Sequence, residues 1–328
     1  MPPNPLLELS EVVEARPRVE EELRLAVQAP TEAMTEMASH LIGGGKRLRP
    51  LLAVAAAACR AGHTGPVSRD VVRGGVSVEL VQVGSLYHDD VIDEAATRRG
   101  VESVNSRWGN IRAILSGDFL LARASEIAAS IGTEVAGLLA ATIAALCEGE
   151  VLELNDAYQV DRTEDAYLGS IDGKTAALFA SACRIGAIAA DLPRDEIDLL
   201  TGYGRAYGMA FQIVDDVLDV VATDEQLGKP AGNDLVQGVY TLPVIRTLTS
   251  EHGDRLRRVL GQPLGAGEME EARSLVRGNG AVGASIASAR EYLGIALEAL
   301  EPFGDAPGAR ALVGMGEHLL STVPTVPA

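Results

Sequence analysis

Cysteine, aromatic residues and positive charge are all scarce in this 328-residue chain. The three cysteines, Cys59, Cys147 and Cys183, stand far apart in Ala-rich stretches. They lack the paired spacing of a zinc site or a redox motif and read as buried, reduced thiols. The five histidines are equally scattered and suggest no metal cage. Lys and Arg number 28 against 46 Asp and Glu, a formal charge of −18. So acidic a surface argues against a nucleic-acid partner, since phosphate backbones need a basic face, and any anionic substrate must meet local cations or a metal. The longest apolar run, Leu51 to Cys59, falls far short of the roughly 20 residues of a membrane span. The N-terminal MPPNPLLELSEVVEARPR carries acidic residues and no apolar stretch, so a secretory signal is not expected and a cytoplasmic location is.

What is abundant is Ala and Leu, both helix formers, within a composition that is 47% hydrophobic and 23% charged, as in folded globular proteins. Apolar residues recur at helical spacing, and no run of alternating β-branched residues bounded by turns stands out. The pattern predicts an all-α protein with long helices over about 67–94, 110–130, 133–157, 164–189 and 194–222, followed by shorter ones. Breaks containing Gly or Pro are short, which predicts one helical bundle over residues 1–328 rather than two domains on a linker.

Two segments echo each other: SLYHDDVIDE at 85–94 and FQIVDDVLDV at 211–220. In a helix, Asp-Asp-x-x-Asp crowds three carboxylates within one turn. Asp89, Asp90 and Asp93, like Asp215, Asp216 and Asp219, would repel one another near a helix's C-terminal end. A single such motif reads as a solvated acidic face. Two, each flanked by apolar residues, favour Mg2+, which takes one or two carboxylates plus waters and substrate phosphates. Cations cluster separately in GGGKRLRP at 43–50, TRRG at 97–100, GKT at 173–175 and GKPAGNDL at 228–235. Glycine beside Lys or Arg lets backbone approach a phosphate, although each cluster alone could be an ordinary cap or surface ion pair.

Taken in order, these six segments resemble the trans-polyprenyl diphosphate synthase family, over most of the chain from Gly43 to about Pro243. The resemblance is to its long-chain, octaprenyl- or nonaprenyl-like members. It implies a helical bundle of the isoprenoid synthase type around a central cavity, usually a homodimer. It also implies a Mg2+-dependent prenyltransferase that condenses isopentenyl diphosphate with an allylic diphosphate, releasing diphosphate. Asp89, Asp90, Asp93, Asp215, Asp216 and Asp219 would hold the metal; Arg98, Lys174, Thr175, Gln212 and Lys229 would bind the allylic diphosphate. Lys46, Arg49, Gln82 and Arg99, with Arg47 in a lesser role, would hold isopentenyl diphosphate. A membrane span is not implied, and a peripheral membrane contact for release of a lipophilic product is left open.

The chain departs from the family pattern in places. Gln82 stands where many long-chain members have His, Asn233 and Val239 fall where others often have Lys, and Glu153 replaces a common Gln. That Gln-to-Glu change adds a carboxylate near the metals. Chain length would be set by the residues four and five before the first motif, about 6–7.5 Å down its helix. Ser85 and Gly84 there lack the aromatic bulk that stops growth in short-chain members, which implies a product longer than twenty carbons. A short-chain farnesyl or geranylgeranyl product and a non-catalytic subunit of a heteromeric synthase are the alternatives.

Overall fold

Ala-rich segments edged by Ser or Thr become long helices. In the computed structural model, which describes residues 4–62, 65–223, 225 and 231–323, the chain opens with α1 (Ser10–Ala26), α2 (Glu32–Ser39) and α3 (Leu48–Ala57). There follow α4 (Arg69–Ile92), α5 (Val104–Trp108), α6 (Asn110–Ile131), α7 (Thr133–Asn155), α8 (Glu164–Ile171), α9 (Ala177–Ala189) and α10 (Arg194–Val221). The C-terminal part comprises α11 (Asn233–Gln237), α12 (Leu242–Leu248), α13 (Gly253–Arg257), α14 (Ala266–Arg277), α15 (Ala281–Leu300) and α16 (Pro307–Ser321). Side-chain caps start several of them. Ser68 accepts the Val71 N–H at the head of α4, and Thr163 accepts that of Ala166 at the head of α8.

The predicted long helices therefore appear with ends shifted by two residues or fewer, with one difference of kind. The stretch expected as one helix over 164–189 is interrupted by a π-helical turn at Asp172–Ala176, carrying the DGKTA sequence between α8 and α9. A π turn widens the backbone and re-aims its side chains, and such turns concentrate at functional sites. Among the described residues the one sheet is a hairpin of two-residue strands, β1 (Thr97–Arg98) and β2 (Val101–Glu102), which the helical reading did not anticipate. Its two-residue loop has positive φ at both Arg99 and Gly100 (54° and 77°), as the twist of a tight hairpin demands.

Helix α10 lies between α9 and α15, α4 packs along α6, and α3 packs on α9. The apolar run noted in the sequence is buried in α3, where Leu51 and Leu52 are almost fully enclosed. A second apolar cluster gathers Val217 and Val220 of α10 with Leu235, Tyr240, Val244 and Leu248. Aromatics, though few, are concentrated: Phe179 of α9 meets Tyr207 and Phe211 of α10 at ring distances of 5.6 and 5.1 Å. Cys59 and Cys183 are free and buried, whereas Cys147, on α7, is exposed.

Two glycine contacts bring backbones closer than any side chain would permit. At the crossing of α7 with the π turn, a Cβ on Gly173 would lie 2.6 Å from the Ala145 carbonyl oxygen. One on Gly149 would lie 2.8 Å from the Ser170 carbonyl and collide with the Lys174 amide. Gly149→Ala should therefore push α7 off the π turn at a cost of about 1–3 kcal/mol, read as a lower denaturation midpoint with an unchanged slope.

Candidate active site

The first aspartate cluster closes α4. Asp90 is fully buried, and its Oδ1 accepts from Arg98 Nε at 2.6 Å. Asp89 and Asp93 lie one turn apart, with the Asp93 amide bonded to the Asp89 carbonyl at 2.8 Å. Burial pushes the Asp89 carboxyl up to about 7, with Lys174 pulling the other way and Glu150 and Asp93 adding to the rise. A carboxyl raised from 3.8 to about 7 destabilises the fold while ionised, a cost absent below about pH 4 and complete above about pH 7. Burial likewise raises Asp93, opposed by Lys174 and Arg98 and by a hydrogen bond from Gln237 at the end of α11.

The second cluster, on α10, divides in the same way. Asp215 is exposed, whereas Asp216 is buried and fully engaged, its Oδ1 accepting from Gln212 Nε2 at 2.7 Å and its Oδ2 from the Tyr167 hydroxyl at 2.5 Å. Gln212 in turn accepts from Thr175 Oγ1 at 2.8 Å. Asp219 is buried and accepts the Asp234 N–H at 3.3 Å, tying α10 to the start of α11 beside Asn233. Lys229 lies outside the described residues.

Lys174, carried by the π turn, joins the two clusters. Its Nζ sits 2.7 Å from Glu150 Oε2 and 2.6 Å from Glu153 Oε1, both on α7. Its charge acts on Asp89 and Asp93, while that of Glu153 acts on Asp93 and Asp216. The helix ends that the two Asp-Asp-x-x-Asp repeats predicted are thus brought to one place.

A basic group lies beside them. Glu79, buried on α4, accepts from Arg47 Nη1 at 3.3 Å, and its charge also acts on Arg49 and Arg99. Arg49 lies over the Phe179 ring, 4.4 Å from its centroid, with a buried Nε that has no hydrogen-bond partner among the described residues. Burial lowers its guanidinium to about 10, Glu79 works against that and Arg99 adds to it. Arg99 donates to the Leu41 carbonyl at 2.6 Å, and Lys46 is exposed.

Several predicted ligands are otherwise occupied. Arg47 is buried, bonds bidentately to Glu20 at 2.8 and 3.0 Å, and donates also to Glu79 and to the Ile42 carbonyl. These bonds make it an anchor for the loop before α3. Thr175 and Gln212 spend their polar groups on each other and on Asp216. Gly84 faces α6: its absent side chain would meet the Gly117 carbonyl at 3.2 Å and Leu121 at 3.3 Å, so this glycine serves a helix crossing. Ser85 and Gln82 are half-buried on α4, joined by a 3.0 Å bond from Ser85 Oγ to the Gln82 carbonyl.

Glu79, Glu150 and Tyr167 were not foreseen. A lone Glu among Val76, Val78, Leu80 and Val81 and a glutamate pair spaced i, i+3 were the available signals for the first two. Tyr167 had none, since its partner is 49 residues away.

The donor set fits divalent cations of the hard, oxygen-seeking kind. Among the described residues no three carboxylates or other ligating groups close a cage, as suits an ion that keeps waters and binds through substrate phosphates.

Residues 31–276 match the polyprenyl synthetase family. Heptaprenyl diphosphate synthase component 2 of Geobacillus stearothermophilus is 40% identical over 88% of this chain and 91% of its own length. Nonaprenyl diphosphate synthase of Mycobacterium tuberculosis is 34% identical over 93% and 91%. A polyprenyl synthase from Caulobacter crescentus, solved with calcium and isoprenyl diphosphate, superposes with a TM-score of 0.89 at 32% identity, covering 97% of both chains.

Arg47→Ala separates an anchor from a ligand. Leaving Glu79 buried without its partner should cost about 3–5 kcal/mol, seen in denaturant unfolding without substrate; a ligand would change substrate KM and leave the unfolding midpoint in place.

Proposed function

The chain belongs to the polyprenyl synthetase family, and we propose that it joins isopentenyl diphosphate to an allylic diphosphate, head to tail, giving a linear all-trans polyprenyl diphosphate longer than twenty carbons. The observation that carries this reading is the π turn, which holds Lys174 against Glu150 and Glu153 of α7 and bonds Thr175 to Gln212 of α10, while the Lys174 charge acts on Asp89 and Asp93 at the end of α4. Asp89 and Asp93 at the end of α4, with Asp215 exposed on α10, would hold Mg2+. The metal supplies electrostatic stabilisation of the departing diphosphate. Lys174 and Arg98 add fixed positive charge beside the same oxygens. As the allylic C–O bond breaks, its electron pair leaves with diphosphate; the double bond of isopentenyl diphosphate then forms the new C–C bond, and the resulting cation gives up a proton to the departed diphosphate. Arg49, Arg99 and Lys46 would hold that second diphosphate. Phe179, under Arg49 and against Phe211, would keep water from the cation.

The long product is supported by the lack of bulk at Ser85 and by the long-chain synthases among the relatives, and the cytoplasm by the buried free thiols of Cys59 and Cys183. A homodimer is supported by the outer faces of α6 and α7, which leave Ile111, Ile114, Leu115, Val151, Leu152 and Leu154 exposed. By length and composition α7 could cross a membrane, but it carries Glu150 and Glu153 into the active site, which fits a protein neighbour better than lipid. A second copy offers the same apolar face across a two-fold axis.

Purified protein with Mg2+, farnesyl diphosphate and labelled isopentenyl diphosphate should yield linear products beyond twenty carbons by mass analysis, and none with chelator. Asp89→Ala should lower kcat on the order of 100-fold or more. Products ending at or below twenty carbons would overturn the length assignment; turnover only after a second kind of chain is added would favour the subunit reading. The double substitution Ile111→Arg with Leu115→Arg should convert the dimer to monomer in sedimentation, an outcome that a monomeric parent protein would rule out.

A further inference from the structure

Lys174 is well placed to meet a diphosphate, yet its ammonium is already held by Glu150 and Glu153 at 2.7 and 2.6 Å. Residues three apart on a helix share a face, so α7 presents both carboxylates to the lysine together. The Gly149–Gly173 contact fixes the distance between α7 and the π turn that carries it. Although burial works to lower the Lys174 pKa, Glu153 and then Glu150 outweigh it and raise it. One positive charge between two negative ones leaves the trio at −1, beside the further carboxylates of Asp89 and Asp93. With Gln in place of Glu153 the trio would be neutral.

We propose that Glu150 and Glu153 form a carboxylate clamp that cancels Lys174 in the empty enzyme, so that a diphosphate binds appreciably only when it arrives with divalent cations. Glu153 is a positioning residue that sets the strength of this metal requirement. Without metal, the incoming anion must displace two carboxylates from the lysine and face their repulsion. With metal, the positive charge that accompanies the anion offsets both. The inference rests on the diphosphate-binding reading above.

Inorganic pyrophosphate binding, measured by titration calorimetry with and without Mg2+, tests it. Glu153→Gln should bind pyrophosphate in EDTA at least tenfold more tightly than the parent and narrow the gap between metal-free and metal-loaded affinities. Glu150→Gln should act in the same direction, so the test survives poor folding of either variant. In a Lys174→Met background the gain from Glu153→Gln should shrink to less than twofold, because the clamp acts through the lysine, whereas simple removal of a negative charge would keep the gain. Unchanged metal-free affinity in both glutamine variants, with normal Mg2+-dependent binding by the parent, would overturn the clamp and leave the prenyltransferase reading intact. Failure of the parent to bind pyrophosphate even with Mg2+ would overturn both.

Discussion

Repulsion among carboxylates at the ends of two helices is the constraint around which this molecule is arranged. Asp89 and Asp93 at the end of α4 feel the charge of Lys174, which Glu150 and Glu153 hold, and burial, with Glu150 and Asp93 adding to it, drives Asp89 towards neutrality. A fold accepts such crowding only where cations offset it. Lys174 and Arg98 do so in part and leave a deficit of positive charge, the kind of place a divalent ion fits.

Around that centre, polar side chains divide into those that hold the scaffold and those left to act. Asp90 locks Arg98 and Asp216 is gripped by Gln212 and Tyr167, so in each repeat the middle aspartate is structural, and in the second Asp219 is buried as well. Arg47 belongs to the scaffold as well. Its left-handed backbone (φ 53°) turns the side chain inward onto Glu20 and Glu79, while Arg49, two residues on, reaches the Phe179 ring. Adjacent positions in one basic motif thus have opposite duties.

Much of this was legible in the chain. Helix boundaries near 69–92 and 110–131 followed from apolar spacing, caps and glycine breaks, all local signals. The repeated aspartates marked two helix ends, since three carboxylates within one turn need an external partner. Less legible was what each side chain touches. Thr175 beside Lys174 reads as a phosphate ligand until Gln212, 37 residues later, is seen to accept its hydroxyl. Gly84 reads as an opening in a channel wall until α6 is found against it. The π turn leaves no trace in a 3.6-residue periodicity, because five residues of wider helix barely shift the apolar pattern.

The sequence by itself determined the all-helical class, the ends of the long helices and the existence of two carboxylate clusters with separate cationic motifs. Each of those depends on residues within a turn or two of one another, where propensity, spacing and like-charge repulsion act without regard to the rest of the chain. Only the tertiary structure decided that Asp90 and Asp216 are bonded inside the fold, that Arg47 pairs with Glu20 and Glu79, and that Glu150 and Glu153 pair with Lys174. Those outcomes rest on hydrogen bonds and ion pairs whose partners are 8 to 49 residues apart, and only helix packing brings such partners within 3 Å.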